Sequence, residues 1–206
     1  MRAAGLQLRN ASDEYHRQLI AALNRREKVG ARFANLSMVD LHLAFHAALT
    51  EMASARDYLA QVAARRVSAP SRIDALNRLR DWVGRAVNTT AAQSDPLIAA
   101  LLQASDASSA DPWLSDITEY RNLFLHREHI GAGQMANRLM VQERETPAGP
   151  VRTLVMTINV RPDAEVTCDA LTRFADLYVR LGRLAHFAAP LAPYEAKAPE
   201  FVVADP

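Results

Sequence analysis

An apolar face held in helical register for about seven turns limits most strongly what this chain can fold into. Leu41, Phe45, Ala48, Leu49, Met52, Ala55, Leu59 and Val62 recur at helical steps. Asn35 or Ser37 can cap the run, and Arg65, Arg66 and Pro70 close it. A helix of that length with one oily side must bury it against other helices, and the flanking sequence supplies them. Ser12-Asp13-Glu14 reads as a cap and acidic first turn for an earlier helix, with Leu19, Ile20 and Leu23 on its face. Arg25, Arg26 and Lys28 lie at its far end and Gly30 is its stop. Beyond the long helix, Ile73, Leu76, Leu79, Trp82 and Val83 form a stripe over 71–87, and Ser94-Asp95-Pro96 opens a short helix carrying Leu97, Ile98, Leu101 and Leu102. Asp111-Pro112 then starts a fifth helix, with Trp113 or Leu114, Ile117, Tyr120 and Phe124 inward, ended by Gly131 and Gly133.

From Ala136 the apolar period drops from about four to two. Leu139 and Val141 alternate, then Leu154, Met156, Ile158 and Val160, across the turn-forming Thr146-Pro147-Ala148-Gly149-Pro150. This predicts a β-hairpin over about 136–160. Two strands alone are not stable, so the hairpin must lean on the helices or on a partner. Pro162-Asp163 precedes a last helix with Leu171, Phe174, Ala175, Leu177, Tyr178, Leu181 and Leu184, and prolines at 190, 193, 199 and 206 mark an extended tail. The expected fold class is therefore all-α: an up-and-down bundle of five or six helices, with one β-hairpin inserted before the last helix. It forms a single domain over 1–189, followed by a proline-rich tail over 190–206.

Composition narrows the function classes. With 206 residues, 50% of them apolar, the chain can bury a substantial core without a metal or disulfide staple. Its 24 basic and 23 acidic side chains leave a net +1, which excludes nucleic-acid binding by bulk charge, so any such binding must be local. Lys28 and Lys197 are the only lysines; all other cations are arginines, whose planar fork suits phosphate, although a GC-rich genome produces the same bias. The lone Cys168 fits a reducing compartment. No apolar run approaches the ~20 residues of a membrane span, and Met1 to Leu8 lacks the hydrophobic core of a secretory signal. These features point to a cytoplasmic protein without a membrane role.

Several standard signatures are missing: a glycine-rich phosphate loop, paired zinc cysteines, a nucleophile elbow and a dinucleotide fingerprint. No cofactor is expected, and any chemistry rests on histidine, arginine and carboxylates. His42 and His46, four apart on the long helix, could ligate a metal, but two ligands do not make a site. They read equally as boundary histidines hydrogen-bonded in the bundle, and no metal is expected. The richer cluster is Tyr120-Arg121-Asn122-Leu123-Phe124-Leu125-His126-Arg127-Glu128-His129. Asn122 and His126 share a helix face, while Arg121 stands about 140° from His126 around an ideal helix, so the two converge only at a distorted helix end or across two chains. Histidine moves protons near neutral pH, arginine neutralises a phosphoryl group as charge builds, and asparagine can order either. Arg127 and His129 add cations for RNA. The same residues also describe a basic helix end favourably placed against its dipole.

The run from Tyr120 to His126 resembles the HEPN superfamily motif, in which an arginine, usually followed by a polar residue, lies four to six positions before a histidine on a late helix. Glu51, Arg56, Asp57 and Tyr58 on the long helix resemble the second helix of such domains, and the resemblance spans roughly Ser12 to Gly133. It implies a metal-independent endoribonuclease acting as a homodimer through the motif helix, possible roles as a toxin or antiviral-defence effector, and an antitoxin or defence-system protein as partner. It assigns Arg121 to the scissile phosphate, His126 to proton transfer or phosphate binding, and Asn122 to ordering the pair, with Glu51 or Asp57 as a supporting carboxylate. Some members of the superfamily are not catalytic, so a helical module that recruits a protein or nucleotide partner is the alternative expectation.

Overall fold

The structure, a computed structural model, describes residues 1–125, 138–161 and 166–193. These form α1 (Arg2–Asn24), β1 (Arg32–Phe33), α2 (Met38–Arg66), α3 (Leu76–Val83), α4 (Ala86–Gln93), α5 (Pro96–Ser105), α6 (Trp113–Leu125), β2 (Leu139–Thr146), β3 (Gly149–Asn159), β4 (Thr167–Asp169) and α7 (Ala170–Ala188).

The all-α expectation is overturned. Seven helices among the described residues are joined by a four-stranded antiparallel sheet of order β1-β2-β3-β4, which makes the fold mixed α and β. The hairpin of β2 and β3 lies where the period-two pattern puts it, with Leu139, Val141, Leu154, Met156 and Ile158 all buried. What the pattern could not signal are the two edge strands. β1 has two residues and β4 three, each too short to show an alternation, and only tertiary pairing makes them strands. The bundle also has more pieces than expected, because the stripe over 71–87 breaks at Gly84 into α3 and the start of α4.

α1 begins ten residues before Ser12. Its inward face is Ala4, Leu8, Ala11, Tyr15, Gln18 and Ala22, a stripe of small and amphipathic residues, whereas Ile20 and Leu23 of the expected face are exposed. The stop also differs. Arg26 takes a left-handed φ of 56°, with its N–H on the Leu23 carbonyl and the Glu27 N–H on that of Ala22, which is a Schellman closure without glycine. Gly30, at φ 85°, instead donates to the Val141 carbonyl at 2.8 Å and leads the chain into β1.

The core joins all layers. Phe174 of α7 meets Phe45 of α2 edge-on at 5.0 Å and Tyr120 of α6 at 5.3 Å, and Phe45 meets Tyr15 of α1 at 6.3 Å. Asp169 ties sheet to bundle. One oxygen caps α7 through the Thr172 N–H at 3.0 Å; the other accepts from the Tyr15 hydroxyl and the Met156 N–H, both at 3.0 Å. Burial and the neighbouring Asp169 push the Tyr15 hydroxyl well above its ordinary pKa, so it remains a donor. Among the described residues no helix is long and apolar enough to cross a membrane.

Candidate functional site

The long helix carries one residue that does not belong on an apolar stripe. Arg56 follows Met52 by four and precedes Ala60 by four, both fully buried, and is itself only 8% exposed. A guanidinium there must be compensated or the helix could not pack. Asp57 supplies the charge, with its Oδ1 accepting from Arg56 Nη2 at 2.8 Å and Nε at 3.1 Å. The remaining fork of Arg56 donates to Thr118 Oγ1 of α6. Asp57 Oδ1 also accepts from the Leu76 N–H at 3.1 Å, capping α3 where the N-cap residue, Ala75, has no side-chain acceptor. One pair, Arg56 buried and Asp57 partly buried, therefore fixes three helices against one another.

Where α2, α3 and α6 diverge they leave a cleft of about 430 Å³, lined among others by Arg56, Asp57, Arg80, Ser115, Thr118 and Arg121. α6 buries Leu114, Ile117 and Tyr120, which turns Thr118 and Arg121 toward α2. Its other side is locked to α7 and the sheet. Arg173 Nη2 lies 2.7 Å from the fully buried Asp116, and the Tyr120 hydroxyl donates to the Asn159 carbonyl at 2.6 Å. Burial pushes both Asp116 and Tyr120 up, and Arg173 opposes that shift in each. With α6 so held, Arg121 cannot slide away from the cleft. Its Nε is buried and has no hydrogen-bond partner among the described residues, and neither Arg80 nor Arg121 has a carboxylate within ion-pair distance there. Three arginines and two carboxylates, Asp57 and Glu119, thus line one concavity, in which Arg56 is the arginine ion-paired among the described residues. The arrangement can accept a phosphate, since arginine grips oxyanions in two places and partial burial strengthens the attraction.

The expected site residues fare differently. Arg121 faces the cleft. Asn122, one position on, is exposed and does not line it, so the structure does not bring the two together. His126, Arg127 and His129 lie outside the described residues, as do Gly131, Gly133, the first residues of the expected hairpin, Pro162-Asp163 and most of the tail; the side chain of Phe124 does too. Of the two candidate carboxylates Asp57 lines the cleft, while Glu51 is exposed, as is Tyr58. His42 and His46 sit on α2, and among the described residues no three His, Cys, Asp or Glu side chains are close enough to hold a metal.

Sequence reasoning missed Arg80 and the central place of Arg56. Both left signals. Arg56 interrupts the apolar stripe, and Arg80 belongs to a run in which 65–85 holds six arginines against two aspartates. No family model, no curated protein and no solved structure matches this chain.

Proposed function

We propose that this protein is a metal-independent endoribonuclease of the HEPN type, in which Arg121, with Arg56 and Arg80, holds the scissile phosphate. The observation that carries the reading is Arg121 turned into a cleft beside two further guanidiniums, its Nε without a partner among the described residues. In the reaction, the RNA 2′-hydroxyl attacks the adjacent phosphorus. The 2′-O–P bond forms, the P–O5′ bond breaks, one proton leaves the 2′-oxygen and another reaches the 5′-oxygen. The products are a 2′,3′-cyclic phosphate and a 5′-hydroxyl. Arginines serve where charge builds on the non-bridging oxygens, a contribution of about 10²–10³ in rate for one well-placed donor. His126, five residues beyond Arg121, is the proton-transfer group in this reading. Their 140° separation on an ideal helix is bridged when two copies associate through α6, so that Arg121 works beside His126 of the partner subunit. The biological setting is a toxin or antiviral-defence effector restrained by a protein partner.

The exposed outer half of the hairpin supports a second reading, a recruiting module without catalysis: Glu143, Arg144, Glu145, Val151 and Arg152 are exposed among the described residues. Purified protein incubated with single-stranded RNA in chelator decides between the two. Cleavage leaving cyclic phosphate ends, reduced at least about 100-fold by Arg121→Ala, is the expected result. RNA left intact, or cut equally well by the variant, overturns the nuclease.

A further inference from the structure

α3 separates two pockets. Leu76, Leu79 and Val83 hold it to the core, which leaves both of its flanks open. Arg80 lines the cleft already described. On the opposite flank Arg72, Arg78, Asp81, Trp82 and Arg85 are among the residues that line a second pocket of about 220 Å³. Arg78 is occupied: its Nη1 lies 3.0 Å from Asp74 and also donates to the Arg72 carbonyl at 3.1 Å. Arg72 and Arg85 are exposed and have no ion-pair partner among the described residues. Trp82 is only half-buried although it sits on a helix whose neighbouring apolar residues are fully packed. Between 71 and 85 there are four arginines and two aspartates, a net +2, whereas the entire chain is +1. The remainder of the molecule is therefore slightly negative, and positive potential is concentrated at this corner.

We infer that the Trp82 pocket is a nucleobase subsite for single-stranded RNA, with the base stacked on the indole and flanking phosphates met by Arg72 and Arg85. This inference rests on the RNA reading of the Arg121 cleft and extends it: a strand whose scissile phosphate lies at Arg80 and Arg121 reaches Trp82 by crossing one helix about 10 Å wide. An indole offers a face that any base can stack on, and unmatched arginines beside it track the backbone, the combination that single-strand binding requires. Duplex RNA keeps its bases paired and stacked, so it cannot place one on Trp82.

The test is a tryptophan-fluorescence titration of the full chain with a 2′-O-methyl RNA octamer, which binds but lacks the attacking hydroxyl. Trp113, packed beneath Arg180 at 5.0 Å, supplies a constant background. The expected result is quenching in the wild type that disappears in Trp82→Phe, with affinity near wild type for that variant and about tenfold weaker for Trp82→Ala. Arg72→Ala and Arg85→Ala should each flatten the salt dependence by about 0.7 in log–log slope. Quenching that survives in Trp82→Phe, undiminished binding by a folded Trp82→Ala, or equal affinity for an RNA duplex overturns the subsite. The two readings fail separately. Cleavage by a protein whose Trp82 stays silent removes the subsite and keeps the nuclease, whereas Trp82-dependent binding without any cleavage does the reverse.

Discussion

Arg56, Asp57 and Arg121 border the same cleft yet answer to different constraints. Arg56 is buried and needs Asp57; Arg121 is half-buried and meets no carboxylate among the described residues. Asp57→Ala leaves a buried guanidinium uncompensated and strips α3 of its cap, so it should lower unfolding stability by about 3 kcal/mol. Arg121→Ala removes no group that is paired among the described residues and should change stability by no more than about 0.5 kcal/mol. Chemical denaturation of both variants reads the contrast directly, and equal losses would mean that Arg121 is a structural cation. His42 adds a pH dependence. Its Nε2 is buried without a hydrogen-bond partner among the described residues, and burial lowers its pKa from the ordinary 6.5. The unfolded chain takes up a proton that the folded chain resists, so this contribution to stability is complete above about pH 6.5 and declines as the pH falls through the lowered folded value. His42→Gln should flatten the stability profile below about pH 6.5; an unchanged slope would show that another group carries it.

Among the elements, the two longest helices end in the same way. α1 closes on Arg26 at φ 56° and α2 on Ser68 at φ 54°, each a left-handed residue with a side chain. A Cβ is unfavourable there, so Arg26→Gly should raise the melting temperature, with a gain of about 0.5–1 kcal/mol. A lower melting temperature would place the Arg26 side chain in a contact worth more than the strain. The hairpin, the long helix and α7 were legible because their apolar residues repeat over many positions; Leu41, Phe45, Ala48, Leu49, Met52 and Leu59 of the long stripe are core, while Ala55 and Val62 are partly buried against it. The start of α1 was not. Ser12-Asp13-Glu14 has the chemistry of a cap, but Ala4, Leu8 and Ala11 continue the helix through it and are buried in the core, so packing outweighs the cap. Arg56 marks a break in the apolar stripe, but the cleft beside it exists only because α3 and α6 pack around it.

At the level of the whole molecule, the prediction concerns two copies. If each cutting site takes Arg121 from one chain and His126 from the other, Arg121→Ala and His126→Ala are both inactive alone, and mixing them with subunit exchange should restore activity. Random exchange makes half the dimers mixed, each with one intact site, so recovery should approach about a quarter of wild type. Light scattering shows whether the dimer forms, and a mixture as inactive as its components would remove the shared cleft. The sequence by itself determined where the long helical stripes lie, where the period changes and that any nucleic-acid contact must be local, because these follow from the order and charge of neighbouring residues. Tertiary structure alone decided that the class is mixed rather than all-α, and that Arg56, Arg80 and Arg121 line one cleft. Strands of two and three residues, and three arginines spread over 65 positions, carry no local period, and they acquire meaning only when distant segments pack together.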